Sequence, residues 1–152
     1  MLKEAVKKFL ENRNADNSDI GEKLVKMFPG DLNAYFHLIW FKLIGQDLPG
    51  QIDALERTIA VFNDCAPVYN LLGYAYMNQG QDEKAAAAFD RYIQLRPDTP
   101  NPYDSKGDFY LKVKDYPKAY ENFMKAHAID SLWGIKKAIR VKEIMDSLAV
   151  AK

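Results

Sequence analysis

The sequence is short of the residues on which most chemistry and most cross-linking rest. It has one cysteine, Cys65, and two histidines, His37 and His127, in 152 residues. A lone cysteine cannot close an internal disulfide, so the fold does not depend on oxidation. The histidines lie far apart, and neither shares a local motif with Cys65. No H-E-x-x-H, C-x-x-C or glycine-rich phosphate loop occurs. Excess charge is missing as well: 21 Lys and Arg balance 21 Asp and Glu, for a net charge of zero and a pI near 6.7. Nucleic-acid binders usually carry a basic face, so no nucleic-acid partner is expected. No apolar run is long enough to span a bilayer, so no membrane insertion is expected either. Ser105 sits in Asp-Ser-Lys-Gly, but its spacing to Lys is wrong for a S-x-x-K nucleophile. It is expected to be an ordinary solvent or groove residue. No set of nucleophile, base and orienting group assembles. The expectation is a chain that is not an enzyme and uses no cofactor and no metal.

What is present is a repeat. Residues 66–97 contain Tyr69, Leu72, Gly73, Tyr76, Ala85, Phe89 and Pro97. Adding 34 to Tyr69, Gly73, Tyr76, Ala85 and Phe89 gives Tyr103, Gly107, Tyr110, Ala119 and Phe123, the same five residue types. Between these windows only Lys84 and Lys118 are otherwise identical, so identity is confined to positions that would pack. Small residues at 73 and 85 allow two helices to cross closely, with tyrosine and phenylalanine filling the space on either side. Asn78-Gln79-Gly80-Gln81 is the turn, because Gly80 can take a positive φ where a helix ends. Pro97 stops the second helix. Lys106 and Ser131 stand where Leu72 and Pro97 stood, so the second copy is looser.

These residues follow W-x2-L-G-x2-Y…A-x3-F…P with Tyr69 in place of Trp, and the stretch resembles a tetratricopeptide repeat of bacterial type. The resemblance implies an all-α fold, a right-handed superhelix of antiparallel helix pairs with about nine helices. One domain of 1–152 is expected: a degenerate helix pair at 1–31, a divergent repeat at 32–65, repeats at 66–99 and 100–131, and a capping helix at 132–152. Residues 2–13 carry Leu2, Ala5, Val6, Phe9 and Leu10 at helical spacing. Ser18 is expected to cap the next helix, which Pro29-Gly30-Asp31 ends. Asp47-Leu48-Pro49-Gly50 reads as a turn. Ile39 replaces the small residue of the other units, so those helices are expected to lie further apart. The final helix is expected to bury one broad face of Leu132, Ile135, Ile139, Ile144 and Leu148, covering the last unit. Met1-Leu2-Lys3-Glu4-Ala5 opens into a charged amphipathic helix without an apolar core. The protein is therefore expected in the cytoplasm, or outside it if the chain is cut from a longer exported precursor.

The resemblance further implies a non-catalytic scaffold whose concave groove holds a peptide or partner segment. The other reading is an accessory module that packs against another domain or a second copy, and homo-oligomerisation stays open. First-helix residues facing away from their second helix would line the groove: Asn33, Phe36, Trp40, Asn70, Tyr74, Met77, Asn78, Asn101, Asp104, Asp108 and Lys112. The aromatic and thioether surface would take an apolar side chain, and Asp104 with Asp108 would select a basic segment. Phe36, Trp40, Asn70, Asn101 and Ser105 stand where one subclass carries a cationic clamp for chaperone C-termini, so that specificity is not expected.

Overall fold

The computed structural model describes residue 7 and residues 17–150. Those residues form eight α-helices and no strand. The expected helix at 2–13 lies outside the described residues. The chain divides into two compact units, the first ending at Val68 and the second beginning at Tyr69.

In the first unit, α1 (Ser18–Met27), α2 (Leu32–Ile44) and α3 (Leu48–Val61) pack in sequence order. Gly21 makes the close approach of α1 to α2 possible, because a Cβ there would lie 2.8 Å from the Cα of Leu38. The core is built from Val25, Ala34, Tyr35, Leu38, Ile39, Ile52 and Leu55. Tyr35 meets Phe62 edge to face at 5.5 Å and donates its hydroxyl to the Pro29 carbonyl at 3.2 Å. Arg57 of α3 holds Glu22 of α1 with two bonds of 2.8 and 3.0 Å.

Two local expectations are corrected here. Ser18 does not cap α1: Asn17 holds the N-cap position without a side-chain bond, and Ser18 is the first helical residue. Residues 48–50 are not a turn but the first turn of α3. Asp47 caps that helix by accepting from the Gly50 N–H at 2.9 Å, and it also pairs with Lys42 at 2.9 Å. Pro49 fits there because N–H groups in a helix's first turn have no intrahelical acceptor to lose.

In the second unit, α4 (Ala66–Asn78) continues from the first, followed by α5 (Asp82–Leu95), α6 (Pro100–Lys112), α7 (Tyr116–Ile129) and α8 (Ile135–Val150). The expected crossings are present. A Cβ on Gly73 would lie 2.6 Å from the Phe89 ring, and one on Gly107 would lie 2.4 Å from the Phe123 ring. Ala85, Phe89, Ala119 and Phe123 have no exposed surface. Tyr74, Phe89 and Phe109 form a chain of ring contacts at 5.2 and 6.1 Å that links α4, α5 and α6.

The backbone repeats more regularly than the sequence. First helices begin at 32, 66 and 100, second helices at 48, 82 and 116, each 34 residues apart. The turns repeat too: Gln46, Gly80 and Lys114, again 34 apart, have φ of +56°, +72° and +62°. Residues 32–65 therefore keep full register although their side chains diverge. Where the other units place glycine against phenylalanine, this one has Ile39 and Leu55, both buried. A larger residue at one position is matched by a smaller one at the other.

The final helix buries a different face from the one expected. Ala138 and Val141 are fully buried with Ala119 and Phe123, and Met145 packs against them. Leu132 is 89% exposed, and Ile139 and Leu148 are about half exposed. The shift follows from Gly134, whose φ of +72° starts α8 one residue later than the 34-residue register. Only glycine fits there, since a Cβ would sit 2.1 Å from the Phe123 carbonyl oxygen.

Candidate functional site

In the second unit the side chains singled out from the sequence fall on two first helices. Asn101, Asp104, Asp108 and Lys112 are spaced by three or four residues, so they share one stripe of α6. Asn70, Tyr74 and Asn78 make the matching stripe of α4. The stripes are bonded directly. The Tyr74 hydroxyl donates to Asp108 Oδ2 at 3.1 Å. Lys112 Nζ donates to the main-chain carbonyl of Met77. Ser105 Oγ donates to Asn101 Oδ1 at 3.2 Å, and Ser105 is itself buried rather than facing solvent or a groove.

Asp104 and Asp108 are not an open acidic patch. Lys137, from the first turn of α8, places its Nζ 2.6 Å from Asp104 Oδ2 and 2.8 Å from both oxygens of Asp108. The same ammonium stands 5.3 Å from the centre of the Phe123 ring. Burial works against the charge on Lys137, but the bonds to Asp104 and Asp108 outweigh it and hold its pKa above the ordinary lysine value. Tyr74 is pushed up to about 12, first by burial and then by the charge of Asp108, with Ser105 and Lys137 opposing.

Two further side chains depart from expectation. Met77 is 9% exposed, so its thioether belongs to the core and only its carbonyl reaches the polar stripe. The Oδ1 of Asn70 is buried and has no hydrogen-bond donor among the described residues. Asn78 is exposed at the end of α4. In the first unit, Phe36 is half buried, Trp40 is 52% exposed, and Asn33 is exposed with its side chain bonded to Asp31 at 3.1 Å.

Lys137 is the residue the sequence reading missed. A signal for it exists. Lys137 stands 34 residues after Tyr103, in the column that holds Tyr35 and Tyr69 in earlier units. A lysine in an aromatic column, on a helix that must pack, has to find a carboxylate.

The arrangement holds polar atoms in fixed places but gathers no reactive set. No group of three or more metal-ligating side chains occurs among the described residues. None of the described helices is long and apolar enough to cross a membrane.

Comparison with known proteins agrees with this geometry. Residues 66–99 match the family model described as tetratricopeptide repeat. The chain is 33% identical over 70 residues to the tetratricopeptide repeat domain-containing protein PYG7, chloroplastic, of Arabidopsis thaliana. That match takes in 46% of this chain and 23% of the plant protein, so the chain spans about a quarter of its relative's length. Among solved structures, a crystal structure of MamA superposes with a TM-score of 0.71 at 26% identity, covering 82% of this chain and 74% of MamA. TTC0263, a thermophilic repeat protein of Thermus thermophilus, superposes with a TM-score of 0.66 over 96% of this chain and 78% of its own. At 20% identity the latter likeness concerns the fold alone.

Proposed function

We propose that this tetratricopeptide repeat protein is a non-catalytic scaffold that holds an extended segment of a protein partner along the α4–α6 face. The observation that carries the reading is the buried Oδ1 of Asn70, which lacks a donor. Leaving a buried acceptor unpaired costs about 1–3 kcal/mol, a cost that a bound N–H would remove. The main chain of a partner segment supplies such donors in series, and an asparagine side chain can both accept and donate. Around Asn70 the face is already organised: Tyr74 is fixed on Asp108, and Lys112 on the Met77 carbonyl. Fixed groups lose little entropy on binding, which favours affinity.

Site-specific photo-crosslinking tests the reading. A photoreactive amino acid is placed at Asn78 beside the face, or at exposed Glu83 on α5 as the control. In lysate, the same partner should be captured from Asn78 and not from Glu83, and the capture should fall when Asn70→Ala or Tyr74→Ala is added. Capture from Glu83 alone, or capture insensitive to both substitutions, would move the interface off the first helices.

A second reading is favoured by a different observation. Leu132, Ile139, Leu148 and Val150 are exposed at the end of the repeat array. In that reading the module packs through α8 against another domain or a second copy. Light scattering across a concentration series separates the second-copy case, since it alone changes the mass of the isolated chain.

A further inference from the structure

The two carboxylates of the α4–α6 face already hold a cation that belongs to the chain. An ammonium has three N–H donors, and Lys137 has an oxygen for each: one from Asp104 and two from Asp108. Lys112 adds a second ammonium to the same stripe. The face therefore carries two negative and two positive groups and no local excess of either sign.

We infer that Lys137 sets the charge selectivity of this face, so that it takes an uncharged stretch of partner chain and gives a basic stretch no advantage. The inference rests on the scaffold reading above. The argument is one of competition. The residue after Lys137, Ala138, is fully buried, and so is Val141 one turn on, so the helix carrying the ammonium is anchored beside the carboxylates. A tethered group competes at an effective concentration of about millimolar or more, which a lysine on a free partner does not match. A basic partner side chain would also have to displace an ammonium that is half shielded from water. An uncharged segment meets no such competitor, and the unpaired acceptor of Asn70 remains open to its N–H groups.

The probe is acetylated tetralysine amide, with acetylated tetraalanine amide for comparison, titrated at low and high salt and followed by backbone amide resonances of α6. Wild type should show no salt-sensitive preference for the lysine peptide. Lys137→Met should bind it about ten-fold more tightly than wild type at low salt, and the gain should vanish at high salt. Adding Asp104→Asn and Asp108→Asn should abolish the gain, and Lys137→Arg should behave as wild type. A Lys137→Met protein that binds no better than wild type would overturn the inference. So would a wild type that already prefers the lysine peptide and loses that preference in Asp104→Asn/Asp108→Asn, a result that needs no change at Lys137 and stands even if the methionine variant folds poorly. The cross-linking experiment above reports on the scaffold reading separately. Loss of cross-links with the charge switch intact would sink that reading and leave the role of Lys137 standing.

Discussion

Gly107 and Phe123 are fitted so closely that any side chain at 107 would enter the ring: a Cβ there lies 2.4 Å from Cε1. The pair recurs 34 residues earlier as Gly73 and Phe89, with 2.6 Å between the corresponding atoms. In an exposed helix, Gly→Ala is worth about 1 kcal/mol of added stability. Here the rings have no exposed surface and no room to retreat. Overpacking costs about 1–3 kcal/mol and should win. Gly73→Ala and Gly107→Ala should therefore lower the urea midpoint, and Gly73→Leu should lower it further. A Gly73→Leu protein that melts like wild type would mean that the packing register is wrong.

The turn positions should respond in the opposite sense. Gln46 and Lys114 occupy the left-handed conformation that Gly80 takes in the middle repeat. A residue with a Cβ pays about 1–2 kcal/mol there, partly offset by the greater freedom glycine has in the unfolded chain. Lys114→Gly and Gln46→Gly should each stabilise by about 0.5–1 kcal/mol on that balance. Gly80→Val should destabilise, although nothing stands within 4 Å of Gly80, because the strain is in the backbone. Thermal unfolding followed by circular dichroism reads all three.

These two relationships also show why some of the fold was legible in the sequence and some was not. The glycine–phenylalanine crossings were readable because no other residue type fits them, so identity persists at those positions. The regularity of residues 32–65 was hidden, because Ile39 and Leu55 fill the same space with different residues. Asp47-Leu48-Pro49-Gly50 misled because proline and glycine punctuate turns but are equally tolerated in a helix's first turn. The stripe of Asn101, Asp104, Asp108 and Lys112 followed from helical spacing alone. Its occupation by Lys137 did not, because a bond between residues 29 to 33 apart depends on how α8 starts. That start turns on the conformation of Gly134, which also sets the buried face of the final helix.

The final helix gives the sharpest contrast between the expected and observed faces. Val141 is fully buried beside Phe123, whereas Ile139 is 52% exposed. Val141→Ala should cost about 2 kcal/mol through lost burial and the void left behind. Ile139→Ser should change stability by no more than about 0.5 kcal/mol, as surface substitutions do. Denaturant unfolding of the two single variants decides the matter. A larger loss from Ile139→Ser than from Val141→Ala would restore the face expected from the sequence pattern.

Tyr74, Asp108 and Lys137 should reveal their coupling at alkaline pH. Burial and the neighbouring Asp108 charge push the Tyr74 hydroxyl up to about 12, above the value of about 10 expected in the unfolded chain. The protonated form is thus favoured in the fold. The stability it contributes is complete below pH 10 or so and is lost as pH rises through about 12. Lys137 acts in the same direction, because its pKa is also raised, and its contribution fades above the ordinary lysine range. Alkaline unfolding should accordingly begin at lower pH in Lys137→Met than in wild type. Tyrosinate absorbance isolates the hydroxyl: the difference between wild type and Tyr74→Phe should be a component that titrates near pH 12. In Asp108→Asn the adjacent negative charge is gone while burial remains, so the component should move down without reaching the free-tyrosine value. A wild-type component that already titrates like free tyrosine would separate Tyr74 from Asp108, and with it the bond that joins α4 to α6.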